Sequence, residues 1–154
     1  MPMAGLTLRK ELADQIPQGS QPNTFAGNAV SAVTAMTNID IITENDNALI
    51  HRAAELGEEI KGWLLEGAAD SRVIGDVRGR GLMIGVEMVK DKATREPLDA
   101  DAVGKIVFGL LKRGVIMVPC GRFGNVFRFM PSLTITREYC QKASEILLDI
   151  VKEF

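Results

Sequence analysis

One arginine lies in an otherwise apolar segment near the end of the chain. Arg128 stands in the sequence GNVFRFMP, residues 124–131, between two phenylalanines. Alternation along a strand places it on the same face as Val126 and Met130 and opposite the phenylalanines. An unpaired buried guanidinium is too costly to persist, so Arg128 either pairs with an internal carboxylate or holds one supplied from outside. The residues alone leave both alternatives open.

A threonine lies in a position that suits an anion. Thr24 follows Pro22 and Asn23 and precedes Gly27 and Asn28, where a helix is predicted to begin. Its hydroxyl and the neighbouring amides could face a phosphate, because helix N-termini favour negative charge. A simple lead-in to the helix explains the same spacing and is the more common explanation.

Three glycines raise the question of a dinucleotide site. Gly79, Gly81 and Gly85 approach the pattern G-x-G-x-x-G, but the third glycine comes one position too late. No helix is predicted to begin there. Glycines in a closely packed sheet explain the segment better.

Composition excludes several classes of protein. The chain has 154 residues with a formal charge of -2 and a pI near 5.5, which favours binding neither to nucleic acid nor to an anionic membrane. His51 is the single histidine and is predicted to be exposed on a helix, and Cys120 and Cys140 are far apart, so a zinc site is not expected. No apolar run is long enough to span a membrane. These features predict a soluble cytoplasmic protein.

Short strands and amphipathic helices are predicted to position these residues. Together they indicate an α+β fold in which helices cover a small sheet. The predicted elements are a short strand or strand pair over Ala4–Leu12, a loop over Asp14–Asn23, a helix from Asn28, a helix over Asn47–Glu66 capped by Asp46 or Asn47, a strand or hairpin over Val73–Val89, a helix over Asp99–Arg113 ended by Gly114, strands over Val115–Pro119 and Val126–Met130, and a final helix from Thr136.

Two helices carry apolar stripes that are predicted to face the core. In the helix over 47–66 the stripe is Leu49, Ile50, Ala53, Leu56, Ile60, Trp63 and Leu64. In the last helix it is Tyr139, Ala143, Ile146, Leu147, Ile150 and Val151.

Three segments in order carry a resemblance to a known family. They are NTFAGN at residues 23–28, IGDVRGRGLMIGVEMV at 74–89 and GNVFRFMPSLTIT at 124–136. With them the chain resembles the C-terminal portion of class-III aminotransferases, which include the 4-aminobutyrate, ornithine and acetylornithine enzymes. The resemblance covers essentially the whole chain. It implies pyridoxal 5'-phosphate as cofactor and the fold-type-I architecture, with residues 1–45 as the tail of the large domain and residues 46–154 as the small C-terminal domain, built on a short, mostly antiparallel sheet.

The resemblance also implies site residues. Thr24 matches a threonine that binds the cofactor phosphate across a dimer interface, and Phe25 belongs to the same cofactor-binding segment. Arg128 matches the arginine that binds the substrate carboxylate, which would hold the amino group over the cofactor. The family usually has proline where this chain has Ala29, a change that affects only the first helical turn.

No position in this sequence matches the family's Schiff-base lysine. The resemblance therefore implies no catalytic residue in this chain and predicts part of an aminotransferase, acting on an amino acid and a 2-oxo acid, that is inactive alone. The parent would be a homodimer. The alternatives are a non-catalytic module that associates with a full-length relative, and part of a racemase, epimerase or decarboxylase of the same family.

Overall fold

The computed structural model describes residues 4–20 and 23–154. Pro22, which belongs to the predicted loop, and residues 1–3 lie outside the described residues. The chain divides into two compact units, Met1–Asn47 and Ala48–Phe154. The assignment of residues 1–45 to a large domain and 46–154 to a small one stays a prediction.

The first unit is helical where it has regular structure. It contains α1 (Lys10–Ala13) and the first part of α2 (Ala29–Asp70). The strand predicted over Ala4–Leu12 is wrong: residues 4–9 are irregular, and Leu6 and Leu8 are exposed. Alternating leucines favour a strand only beside a partner strand, and the described part of this unit contains none.

Helix α2 begins as predicted and is interrupted within its length. The Asn28 side-chain oxygen accepts a hydrogen bond from the Ser31 amide at 2.9 Å, which makes Asn28 the N-cap. Residues Glu44–Asn47 have non-helical dihedral angles, so α2 consists of two helical segments, as predicted. The predicted cap of the second segment is wrong. Asp46 and Asn47 are left-handed, with φ of 55° and 61°, whereas an N-cap is extended.

The second unit contains an antiparallel sheet. Its strands are β1 (Ile74–Arg80), β2 (Met83–Asp91), β3 (Glu96–Pro97), β4 (Val118–Cys120) and β5 (Val126–Phe129). The main order is β1-β2-β5-β4, and β3 pairs with β2. Of the two alternatives predicted for Val73–Val89, a strand or a hairpin, the structure shows the hairpin, because β1 and β2 pair across the turn formed by Gly81 and Leu82.

Strand β4 begins later than the predicted Val115, because the amide of Val115 hydrogen-bonds to the preceding helix. Helix α3 (Ala100–Lys112) is followed by Gly114 with a φ of 80°, as the C-terminal cap prediction required. The Val115 amide then donates to the Leu110 carbonyl at 2.9 Å, and the Gly114 amide donates to Leu111. These two bonds form a Schellman motif, so Val115 closes the helix and β4 begins only at Val118.

Three helical segments cover one face of the sheet. They are the second part of α2, α3, and α4 (Arg137–Val151), and their apolar residues share one core with Val86, Phe127 and Phe129. The stripes predicted for α2 and α4 are largely confirmed, with two corrections. Ile50 is 47% exposed because the buried stripe of α2 begins at Ala53, and Tyr139 is 68% exposed because that of α4 runs through Cys140 and Leu147.

Candidate active site

Arg128 projects from the face of the sheet opposite the helices. Its strand β5 lies between β2 and β4, and the flanking Phe127 and Phe129 are 0% and 5% exposed in the core. Alternation therefore turns Arg128 outward, where it is exposed. The expectation of a buried guanidinium is wrong for this chain, since solvent reaches the charge. Arg128 makes no ion pair with any carboxylate that the structure describes.

A cavity of about 640 Å³ adjoins Arg128. Its walls come from the segment leading into β4, from the end of β5 and from α4. Among the described residues that line it none is an aspartate or a glutamate, whereas three are cations. The lining residues are Arg113, Gly114, Val115, Ile116, Met117, Val118, Arg128, Phe129, Met130, Pro131, Ile135, Tyr139, Cys140, Lys142, Ala143 and Ile146.

The cations of this cavity differ in their pairing. Arg113 donates to an Asp149 carboxylate oxygen at 2.8 Å, so its charge is largely compensated. Lys142 and Arg128 have no ion-pair partner within the described ranges. Burial raises the pKa of the Cys140 thiol, which therefore stays neutral near pH 7 and adds no negative charge to the wall. The lining thus combines apolar residues with cations and, in the described residues, no carboxylate, which suits a ligand that joins a carboxylate to an apolar part.

On the face opposite the helices, four residues of neighbouring strands oppose one another in a row across the sheet. Arg78 of β1 opposes Gly85 of β2, Gly85 opposes Arg128 of β5, and Arg128 opposes Val118 of β4. Directly opposed residues of an antiparallel sheet share a face. Arg78 and Arg128 therefore flank Gly85, which places no side chain between them.

The first of these two arginines is held by carboxylates. The Arg78 guanidinium donates to Asp76 at 2.6 Å and to Glu87 at 2.5 Å. These hydrogen bonds, of which the one to Asp76 contributes more, raise the pKa of Arg78 above its ordinary value. Arg78 and Arg128 thus lie on the same face of the sheet, but Arg78 pairs with two carboxylates, whereas Arg128 pairs with no carboxylate that the structure describes.

The candidate phosphate segment lies in the first unit. Thr24 and Phe25 occupy an exposed turn, in which the Asn23 side chain accepts a hydrogen bond from the Phe25 amide at 3.0 Å. The Thr24 hydroxyl makes no hydrogen bond to another residue in the described part of the chain. Phe25 has already committed its amide to Asn23, so its 81% exposed side chain is what it can offer to a ligand. The structure describes this turn and the Arg128 cavity in separate units.

The remaining sequence candidates contribute no site. His51 is exposed on α2, as predicted. Gly79 and Gly81 lie at the β1-β2 hairpin, and the following segment is a strand, so the dinucleotide fingerprint is excluded. In the described ranges, His, Cys, Asp and Glu nowhere gather in a group of three that could bind a metal ion. No helix within these ranges combines the length and the apolar character needed to cross a membrane.

Comparison with known proteins identifies the family. The family model described as Aminotransferase class-III matches residues 1–151. The chain belongs to the class-III aminotransferases. The 4-aminobutyrate aminotransferase of Mycobacterium leprae is 41% identical over 155 residues, which cover 100% of this chain and 34% of that protein. The alanine/serine racemase of Pyrococcus horikoshii is 40% identical over 153 residues, covering 99% of this chain and 31% of the racemase.

Solved structures agree with the family assignment. A Bacillus anthracis aminotransferase superposes with a TM-score of 0.76 at 32% identity, covering 88% of this chain and 30% of that one. Class-III aminotransferases depend on pyridoxal phosphate, and their fold-type-I architecture agrees with the helix-covered antiparallel sheet seen here. The chain spans about a third of the length of the curated relatives it matches.

Several residues of the cavity escaped prediction from the sequence. Arg113, Lys142 and the exposed Tyr139 come from separate elements, and no short-range spacing joins them. Tyr139 carried a weak signal, since a tyrosine at the edge of an apolar stripe often keeps its hydroxyl in water. The ion pairs of Arg78 with Asp76 and Glu87 could have been predicted from the sequence, because Asp76 and Arg78 lie two residues apart on one strand and Glu87 lies on the next.

Proposed function

We propose that this chain forms the C-terminal part of a pyridoxal-phosphate-dependent aminotransferase, which moves an amino group between an amino acid or ω-amino acid and a 2-oxo acid. The observation that carries the proposal is Arg128, an exposed guanidinium without a described carboxylate partner, on a rigid strand beside a cavity without acidic lining. Family membership supports the same reaction class. A cytoplasmic homodimer is part of this proposal.

Arg128 binds the substrate carboxylate. A guanidinium offers two parallel N–H donors that match the two oxygens of a carboxylate. The flanking phenylalanines anchor β5 in the core, so the arginine presents its charge from a fixed backbone position. Fixing the carboxylate restricts the position of the amino group, which lowers the entropic cost of reaching the reactive geometry.

Thr24 and Phe25 contribute to the cofactor site. The hydroxyl of Thr24 fits a phosphate group, because it lies in an exposed turn and is a donor that no other described residue uses. Pyridoxal phosphate, when bound, provides the electron sink that amino-group transfer needs. No lysine among these 154 residues matches the one that attaches this cofactor in the family, so the isolated chain is inactive in this proposal.

The test is a substitution of Arg128 in the full-length enzyme that carries this sequence. We expect Arg128→Ala to raise KM for carboxylate substrates about 30-fold, which corresponds to about 2 kcal/mol for a lost charge pair. An amine donor without a carboxylate serves as control and should keep its KM. Equal KM values for wild type and variant with every amino acid and 2-oxo acid would refute the role of Arg128.

A racemase is the second candidate, because the Pyrococcus horikoshii alanine/serine racemase is almost as similar as the 4-aminobutyrate aminotransferase. The two reactions differ in their need for an acceptor. A racemase interconverts L- and D-amino acids without a 2-oxo acid, whereas an aminotransferase requires one and produces another. Chiral chromatography of an L-alanine incubation, with and without a 2-oxo acid, therefore separates them.

A further inference from the structure

Glu87 is a neighbour of both Arg78 and Arg128, the arginine proposed to bind the substrate carboxylate. Glu87 opposes Val126 on β5, so Arg128, two residues further along, is its diagonal neighbour on the same face. Diagonal neighbours lie about 7–8 Å apart, and somewhat less between their Cβ atoms, within reach of long side chains such as glutamate and arginine. Glu87 is therefore the carboxylate on β2 that is placed to pair with Arg128.

Glu87 instead pairs with the arginine on its other side. Arg78 holds a Glu87 oxygen at 2.5 Å, and Asp76 holds the same guanidinium nitrogen at 2.6 Å. The side chain of Glu87 is 27% exposed, less than the 52% of Arg78, so the pair is partly sheltered. Gly85 lies between the two arginines and offers no side chain that could separate Glu87 from Arg128.

We propose that Arg78 is a positioning residue, which clamps Glu87 away from Arg128 and so keeps the Arg128 guanidinium available for a substrate carboxylate. This inference rests on the proposed function, since it concerns the same carboxylate site. Without Arg78, the Glu87 carboxylate turns to Arg128, its diagonal neighbour on β5. An incoming carboxylate must then displace an ion pair before it binds.

The expected size of the effect follows from the exposure of the groups. Ion pairs between exposed side chains shift an equilibrium by about two- to fivefold. We therefore expect Arg78→Gln to raise KM for a carboxylate substrate by about two- to fivefold, with little change in kcat. An amine substrate without a carboxylate should keep its KM, which a general loss of structure would not allow.

A double-mutant cycle separates the clamp from a simple change of charge. In the full-length enzyme, Glu87→Gln alone should leave KM unchanged, because wild-type Glu87 does not contact Arg128. Adding Glu87→Gln to Arg78→Gln should restore the wild-type KM. Arg80→Gln is the matched control: it removes an exposed arginine two positions along the same strand, with no described carboxylate partner, and should have no effect.

Two results would overturn the clamp. One is a KM for Arg78→Gln no higher than that for Arg80→Gln. The other is an equal drop in KM when Glu87→Gln is introduced into the wild type and into Arg78→Gln. Arg78 and Glu87 would then change substrate binding independently, each through its own charge. The proposed function fails separately, if Arg128→Ala leaves KM for carboxylate substrates unchanged.

The 154-residue chain allows a second measurement that does not depend on catalysis. Sodium acetate is titrated into the ¹⁵N-labelled chain, and the Nε–Hε resonance of Arg128, assigned by its loss in Arg128→Lys, is followed by NMR. We expect the acetate dissociation constant to rise about two- to fivefold in Arg78→Gln and to return to the wild-type value in the double variant. Equal dissociation constants in wild type and Arg78→Gln would refute the clamp.

Discussion

Two glycines of α2 provide a matched pair of substitutions with opposite expected effects. A Cβ atom added to Gly57 would lie 2.2 Å from the Gly81 carbonyl oxygen, in the turn between β1 and β2. A Cβ atom added to Gly62, in the same helix, would meet no atom within 4 Å apart from the adjoining backbone of its own helix. The same chemical change therefore tests how closely the helix packs against the hairpin.

The magnitudes can be worked out from these distances. In a helix interior, alanine is more favourable than glycine by about 1 kcal/mol, so Gly62→Ala should raise the free energy of unfolding by up to that amount. Gly57→Ala gains the same propensity, but its methyl group overlaps a backbone atom, and overpacking of this kind costs about 1–3 kcal/mol or more. Because the obstacle is backbone on a hairpin, rotation of a side chain cannot relieve it. We expect Gly57→Ala to be less stable than Gly62→Ala by about 2 kcal/mol or more.

Urea denaturation of the two variants and the wild type, followed by circular dichroism, measures this difference. The denaturation midpoint should rise for Gly62→Ala and fall for Gly57→Ala, with the slope m unchanged. If Gly57→Ala proves as stable as Gly62→Ala, the close approach of α2 to the hairpin turn is incorrect. A fall for both variants would instead show that helix propensity does not govern these positions.

Three further predictions concern other parts of the chain. Arg52 donates to the Leu133 and Ile135 carbonyls, so Arg52→Met should lower the free energy of unfolding by about 2 kcal/mol in urea denaturation, while Arg72→Met, at an exposed position, should change it little. The hydrogen bond from Arg113 chiefly lowers the pKa of Asp149 below 3.8. That contribution to stability is complete above pH 3.8 and is lost as the pH falls through the folded-state pKa, so Asp149→Asn should flatten the acid limb of a plot of denaturation midpoint against pH. Val33 and Met36 are 63% and 64% exposed on one helix, so the chain should self-associate in light scattering and bind an apolar dye. Substitution of both residues by lysine should reduce self-association and dye binding. A compact monomer that binds no dye would contradict this prediction.

Local patterns were enough for the helices and the hairpin. Asn28 and Gly114 mark helix ends through their own backbone and side-chain chemistry, and both are confirmed. The hairpin over residues 73–89 followed from β-branched residues broken by glycines. The prediction of a strand over Ala4–Leu12 failed because a strand depends on a neighbouring strand that can lie far away in sequence, and alternation in a short segment does not show whether that neighbour exists.

The Arg128 site was predicted only in part. The alternation around Arg128 indicated its face, and the resemblance to class-III aminotransferases implied its role, but the sequence could not show whether the outer face of the sheet is covered. The structure shows Arg128 exposed and among the residues that line a cavity, whose other cations come from the residue after α3 and from α4. Those neighbours depend on how helices pack against the sheet, which no motif encodes.

The order and nature of the residues were sufficient to establish the family, the α+β class and the candidate arginine, because these depend on motifs and on periodicities within a few residues. Which charged side chains pair with each other was decided only by the tertiary structure. Glu87 can reach two arginines, and its partner Arg78 was set by the strand register and by the additional carboxylate of Asp76, since ion pairs form between side chains that tertiary structure brings together.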